Sequence, residues 1–342
     1  INPKRGAPDH ATASLAGAGV AFKLATALNG APNDLDIAAL GTVSDIVPLL
    51  KENRVIVALG IKHMMRHKRL GIAKLARIAG FDLRMVNAQK IGFQLGPRLN
   101  AAGRLETGHA ALDLLMTDCE AQADELARTL DKANNERRAI EQNIYDQAIE
   151  TLDAFLRDDQ RAVVLARDDW HQGVVGIVAS RLQHRYHRPV AICCLGDDGL
   201  LHGSARSGPG FDMMAALNAC GAHLLRYGGH LAAGGMTLAP EQFEAFREAF
   251  EQDALRQLGA GKIEPLLHID ALVTLSQLDG AFMATLESMA PFGQANPEPV
   301  FCAVGVEVMP QSMRVLKEQH LKFSVKQGDA LLTAIGFRMA ER

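Results

Sequence analysis

Four short stretches combine carboxylate, guanidinium, hydroxyl or imidazole groups with glycines or apolar runs, residue types able to bind an anion or a cation. In AALGTVSDIVPLL (38–50), Asp45 is a single carboxylate inside an otherwise apolar run. A buried carboxylate is costly unless donors or a cation stand beside it. Asp45 therefore calls for hydrogen-bond donors or a cation as partners, or is a helix-cap or turn residue. GSARSGPGFD (203–212) sets Ser204, Arg206 and Ser207 at the end of a predicted strand, ahead of a helix starting near Asp212. Small hydroxyls, an Arg fork and turn N–H groups can hold a phosphate. They also make an ordinary strand-to-helix turn with Asp212 as N-cap. RYGGHLAAGGMTL (226–238) places Gly228 and Gly229 before His230. Glycine admits a ligand or another backbone closely, and the imidazole reads as a phosphate donor, a metal ligand or a surface histidine in a tight turn. GPRLNAAGR (96–104) offers Arg98, Asn100 and Arg104 on a glycine-bounded loop, as a phosphate clamp or as plain surface residues. Trp170, the one tryptophan, stands before a predicted helix and reads as a base-stacking platform or as core.

Other chemistries lack their motifs. There is no Gly-x-x-x-x-Gly-Lys-Ser/Thr loop, no Gly-x-Ser-x-Gly elbow and no His-Glu-x-x-His. The Asp9-His10 pair has no adjacent ligands. Five cysteines without Cys-x-x-Cys spacing point to reduced thiols and a cytoplasmic protein, not to disulfides or a zinc site. No apolar run is long enough to span a bilayer, and the polar start INPKRGAPDH is no signal peptide. The absence of an initiator Met predicts a piece of a longer chain.

These residues need elements to position them. The 342 residues, 48% hydrophobic and 22% charged, suffice for two or three domains. LAGAGVAFKLATALNG predicts a helix stopped by Gly30, and ENRVIVALGIKHMMRHK another, with Val55, Ile56, Leu59 and Met64 or Met65 as its apolar face. Residues 118–157 predict one long helix whose stripe is Leu126, Leu130, Ala133, Ile140, Ile144, Ala148, Leu152 and Phe155. A spacer between two domains fits it better than a coiled coil. Residues 160–258 alternate strand and helix, and 262–342 read as strands of a small β-barrel or sandwich, beginning with LLHIDALVTL. The net charge of −3 is uneven. Residues 1–110 hold 15 Lys and Arg against 7 Asp and Glu, whereas 111–160 hold 5 against 13. A basic first third permits a polyanion partner and equally a solvated surface.

Taken in order, INPKR, LAGAGVAFKLA, ALGTVSDIVPL, NRVIVALGIK, GPRLNAAGRL, DWHQGVVGIVASRL, GSARS, GGHLAAGG and PFGQANPEPVF resemble the RecJ family of the DHH phosphoesterase superfamily along nearly the whole chain. The resemblance implies an α/β multidomain protein. Residues 1–117 would be the C-terminal part of a DHH domain, 118–158 a connecting helix, 159–259 a DHH-associated α/β domain, and 262–342 a partial OB-fold β-barrel. It implies a 5′-to-3′ single-stranded-DNA exonuclease of DNA repair and recombination, using two Mn²⁺ or Mg²⁺ ions. Asp45 matches one metal ligand and catalytic residue, with the remaining ligands expected upstream of Ile1, so the chain alone is expected to be inactive. Ser204, Arg206 and Ser207 match the 5′-phosphate turn, Gly228, Gly229 and His230 the cleft lining, and Arg98, Asn100 and Arg104 contacts to the strand. Phe292, Phe301 and Phe323 are stacking or barrel-core residues. Single-stranded DNA is the implied partner of a monomer without membrane attachment; a single-strand-binding protein and a helicase stay open. A phosphodiesterase of short RNA or cyclic dinucleotides, a non-catalytic DNA-binding scaffold and a tRNA-editing relative are the rival readings.

Overall fold

The computed structural model describes residues 2–5, 7, 9–105, 108–261 and 266–340, with backbone alone for 104 and 105. The first helices are α1 (Gly17–Asn29), α2 (Leu35–Ser44), α3 (Lys51–Arg66), α4 (Leu70–Ile78), the one-turn α5 (Ala88–Lys90), α6 (Gly96–Leu105), α7 (His109–Met116) and α8 (Glu120–Phe155). A π-helical turn, Ile91–Leu95, joins α5 to α6. Then come β1 (Val163–Arg167), α9 (Gln172–Tyr186), β2 (Val190–Leu195), β3 (Leu201–Arg206), α10 (Met213–Ala219), β4 (Arg226–His230), β5 (Ala233–Leu238) and α11 (Phe243–Leu258). The chain closes with β6 (Ala271–Leu272), α12 (Gly280–Ser288), β7 (Phe301–Cys302), β8 (Glu307–Leu316), β9 (His320–Gln327) and β10 (Ala330–Gly336). This is the expected α/β architecture. Among the described residues no helix is long and apolar enough to cross a membrane.

The elements form two compact units. The first gathers residues 1–68, 82–96 and 266–342, and the second 69–81 and 97–265. The four segments expected from the sequence run along the chain; these units are groupings in space.

In the first unit Gly30, at φ +69°, ends α1 as expected. The buried face of α3 is Asn53, Ile56, Val57, Gly60 and Met64. Val55 and Leu59 are 54% and 47% exposed, so the apolar face expected there is rotated. Asn53 explains the rotation: its amide donates to the Ser14 and Pro48 carbonyls and anchors that side of the helix inward. Strands β8, β9 and β10 make an antiparallel sheet in the order β10-β9-β8, and β6 and β7 pair over two residues. This β-rich part resembles a partial OB-fold. The expected strand LLHIDALVTL contracts to Ala271–Leu272. Leu266 and Leu267 are strongly exposed and outside any strand. Phe301 packs edge-on against Phe282 with centroids 5.0 Å apart, both rings half-buried.

The second unit is a five-stranded sheet, β1-β2-β3-β5-β4, with helices on both faces. Only β1–β2 is parallel, joined through α9. One face packs Ala191, Cys193, Ala205, Met236 and Leu238 against Phe246 and Phe250 of α11 and Met213 and Leu217 of α10. The other packs Val163, Val190, Ile192 and Cys194 against Val174, Val178 and Leu182 of α9 and Ile144, Ala148 and Leu152 of α8. Trp170 belongs to this second core, 4% exposed, its indole N–H donating to Gln147 Oε1 at 2.7 Å. The stacking alternative for it is thereby set aside. The long helix is present, but its buried stripe is Ala123, Ala127, Leu130, Asn134, Ile144, Ala148 and Leu152. Small alanines let its first half lie against α4 and α7, while Phe155, its last residue, is 77% exposed.

Candidate functional site

The strand register assembles the candidate site of the second unit. Directly opposed residues of paired strands project to the same face, and residues two apart along a strand share it. Ser204 of β3 stands opposite Gly235 of β5, which stands opposite Gly228 of β4. Arg206, Ala233 and His230 form the next row, and His202, Thr237 and Arg226 the row on the other side. Three rows thus share the face that β1 and β2 bury under α8 and α9. Beyond that cover, the surface opens into a cavity of about 470 Å³, lined by Gln172 and Val175 of α9 together with His202, Ser204, Arg226 and Gly228 among others.

Each polar group there has a defined setting. Arg206 Nη1 donates to Ser204 Oγ at 2.9 Å and to the Ala205 carbonyl at 2.8 Å. Helix α9 comes this close because residue 176 is glycine: a Cβ would lie 2.8 Å from Ser204 Oγ and 3.0 Å from Arg206 Nη2. Gly228 and Gly229 differ. A Cβ on Gly228 meets nothing within 4 Å and would project into the cavity, whereas one on Gly229 would lie 2.2 Å from the Ala233 carbonyl oxygen. Gly229 sits opposite Gly234 and keeps the β4–β5 hairpin tight. His230 is exposed, its Nδ1 within 3.4 Å of the Ala232 N–H.

The sequence reading missed His202, Arg226 and Thr237. The signal was available: His202, Ser204 and Arg206 alternate along one strand, as do Arg226, Gly228 and His230 along another. His202 Nε2 lies 3.0 Å from Asp198 Oδ1, and its Nδ1 3.4 Å from Thr237 Oγ1. The hydrogen bond from His202 holds the Asp198 carboxyl below its ordinary value.

Other expected residues fall elsewhere. Ser207 is buried, its hydroxyl within 3.3 Å of the Leu231 carbonyl, so it ties the hairpin to the strand end instead of facing a ligand. The turn after it is capped as expected, Asp212 Oδ1 accepting from Met214 and Ala215 N–H. Residues 96–105 are helix α6, not a loop. Pro97, which has no N–H to donate, follows directly on the π-helical turn Ile91–Leu95, where the regular helical hydrogen-bond ladder is already interrupted, and Ala101 and Ala102 are buried. On that helix Arg98 Nε pairs with Asp131 Oδ1 of α8 at 2.8 Å, and Asn100 is exposed. The side chain of Arg104 lies outside the described residues.

Asp45, in the first unit, is exposed, contrary to the burial its apolar context suggests. It caps the C-terminus of α2, and its carboxylate has no hydrogen bond or ion pair among the described residues. A carboxylate at the negative end of a helix dipole is unfavourably placed. The next residue, Ile46, is held at φ +55°, rare for a β-branched side chain. Among the described residues the buried Ser44 Oγ, next to Asp45, has no hydrogen-bond partner. Strain and unsatisfied groups of this kind concentrate at functional sites. Among the described residues, no three His, Cys, Asp or Glu side chains converge as a metal site.

A family model for the DHHA1 domain matches residues 159–254, and one for the RecJ OB domain matches residues 269–342. The whole chain is 36% identical, over 344 residues, to the single-stranded-DNA-specific exonuclease RecJ of Bacillus subtilis, covering 44% of that protein. The chain is a RecJ-family homologue. The crystal structure of RecJ in complex with Mg²⁺ from Thermus thermophilus superposes on 95% of the chain with TM-score 0.78 and 30% identity, the chain covering 50% of that protein. The same protein in complex with Mn²⁺ gives TM-score 0.78 and 31% identity. The RecJ-family chain spans about half the length of these relatives. The three rows of its open face all lie in the DHHA1 match, and β6 to β10 in the RecJ OB match. Asp45 precedes both matched regions.

Proposed function

We propose that this chain grips the 5′ end of single-stranded DNA within a RecJ-type exonuclease of DNA repair and recombination. The observation that carries the reading is the open face of β3, β5 and β4, where Ser204, Arg206 and His230 surround a glycine floor. A guanidinium braced on a serine hydroxyl, beside bare backbone, is suited to a terminal phosphate dianion. Gly228 leaves room for the ligand, and Gly229 serves by holding the hairpin. Asn100 and Arg104 on α6 remain candidates for backbone contact; Arg98 reaches the strand only alongside its ion pair with Asp131. The β8–β10 sheet, with Phe323 on it, is a second strand-binding surface, as stacking on OB-folds provides elsewhere.

Asp45 is the candidate metal ligand. A hard divalent ion such as Mn²⁺ or Mg²⁺ takes about six oxygen ligands, and one carboxylate does not make a two-ion site. The described residues therefore do not fit the complete centre, and the chain's own contribution is binding and orientation of the strand. We expect a monomeric, cytoplasmic protein that meets single-stranded DNA.

The test is fluorescence anisotropy with a dT oligomer carrying either a 5′-phosphate or a 5′-hydroxyl. The phosphorylated strand binds at least tenfold more tightly, and Arg206→Gln removes that preference. Equal affinity for the two strands would refute the assignment.

A further inference from the structure

The loop that carries the chain from Asp45 into α3 is strained. Ile46 sits at φ +55° and Lys51 at φ +48°, left-handed backbone that neither side chain favours. Ile46 is 73% exposed, so burial of its side chain does not offset the cost. Such a conformation persists only where the surroundings over-determine it. Val47 and Pro48 alone separate Ile46 from Leu49, and two sets of contacts fix that end of the loop. From α3, the Asn53 amide donates to the Pro48 carbonyl at 3.0 Å. From far along the chain comes the segment 289–296. Leu49 N–H donates to the Gln294 carbonyl at 2.7 Å. Arg54 Nη2 donates to the Met289 and Ala290 carbonyls at 2.6 and 3.2 Å. Leu49 is buried beside Gly293, where a Cβ would lie 2.7 Å from Leu49 Cδ1. The segment is braced in turn. Gly293 and Asn296 exchange backbone hydrogen bonds, and the Asn296 amide donates to the Pro291 carbonyl at 2.8 Å.

All these contacts lie inside the first unit. The segment belongs to the RecJ OB match, whereas Asp45 precedes both matched regions. We propose that 289–296 is a strap that positions Asp45. By holding Leu49 it keeps Ile46 left-handed, and Ile46 turns the chain so that the carboxylate emerges at the surface. Arg54 is then a positioning residue that acts through the strap, its guanidinium committed to two carbonyls there. Release of the strap lets Ile46 relax to negative φ and moves Asp45. The consequence for function rests on the reading of Asp45 as a metal ligand: the OB-matching part then serves the chemical site as well as the strand.

The experiment is NMR of the labelled 342-residue chain without metal or DNA. Two signals report the strap: exchange of the Leu49 amide hydrogen with D₂O, and the intraresidue HN–Hα cross-peak of Ile46, which is strong at positive φ. Val57, on the buried face of α3, is the control for fold. In the wild-type chain Leu49 is protected and the Ile46 cross-peak is strong. Arg54→Gln removes the guanidinium from the strap carbonyls, and Gly293→Val drives a side chain into Leu49. Each speeds Leu49 exchange at least tenfold, weakens the Ile46 cross-peak and shifts the Asp45 amide, with Val57 still protected. Ile46→Gly, at ease with positive φ, removes the strain that opening would release, so Leu49 exchange slows several-fold. If Leu49 is freed while Ile46 and Asp45 stay in place, the strap does not position the loop. If neither variant alters Leu49, or Ile46→Gly speeds its exchange, the proposal is overturned too. Should Arg54→Gln cost Val57 its protection, Gly293→Val, which leaves α3 intact, decides. No signal here involves a metal. Failure of the ligand reading would leave all of them unchanged, and failure of the strap would leave Asp45 a candidate ligand.

Discussion

Gly228 and Gly229 are neighbours in sequence with opposite duties. One opens the cavity floor; the other admits the facing strand's backbone. Gly228→Ala should leave the thermal midpoint within a degree or two and weaken binding of a 5′-phosphorylated oligomer several-fold. Gly229→Ala should cost about 1–3 kcal/mol of overpacking and lower the midpoint by several degrees. Thermal melts followed by anisotropy check both; the reverse ranking of midpoints would contradict the register. Asp45 gives the matching lesson from the first unit. Its apolar neighbours in sequence suggest burial, yet the chain turns outward at Ile46 and exposes it. Hydropathy of a window does not show on which side of a helix end one carboxylate emerges.

Among the elements, α8 shows what periodicity conveys and what it leaves out. Its length, its lack of Gly and Pro, and the anchors Leu130, Ile144, Ala148 and Leu152 were legible. Ala123, Ala127 and Asn134 were not, because their burial depends on the partners that α8 meets, and those partners are chosen by tertiary packing. Ile144→Ala should destabilise the chain by about 2–5 kcal/mol, since Ile144 is buried in the core beside Val174 and Trp170. Phe155→Ser should be close to neutral. Urea denaturation measures both; a Phe155 effect as large as that of Ile144 would contradict the packing. The three strands of the open face were legible as strands and as glycine motifs. Their union into three rows was not, because cross-strand register depends on pairing between segments up to 37 residues apart. His202, Arg226 and Thr237 escaped notice for that reason. Helix α6 escaped because its glycines and proline read as loop residues, although Pro97 follows directly on a π-helical turn.

Across the whole molecule the uneven charge has a partly internal explanation. Lys74 pairs with Glu120 and Asp124, and Arg98 with Asp131, so basic residues of the first third meet acids of α8. The carboxylate of Glu141 likewise meets Arg137 and Arg181. Part of the basic excess is therefore spoken for before any polyanion arrives. Grip and cutting are separate properties. The 342-residue chain should bind single-stranded DNA and leave it intact in Mn²⁺ over hours in a gel assay. Mn²⁺-dependent cleavage abolished by Asp45→Ala would contradict this, because it would require a complete metal centre within these residues.

The central claim is that the terminal phosphate rests on β3, β4 and β5. Amide resonances of ¹⁵N-labelled protein, followed during titration with a short 5′-phosphorylated oligomer, address it most directly. Ser204, Arg206, Gly228, His230 and Gly235 are predicted to shift first, and the 5′-hydroxyl oligomer to move them far less. Shifts confined to β8, β9 and β10, with those five amides unmoved, would contradict it.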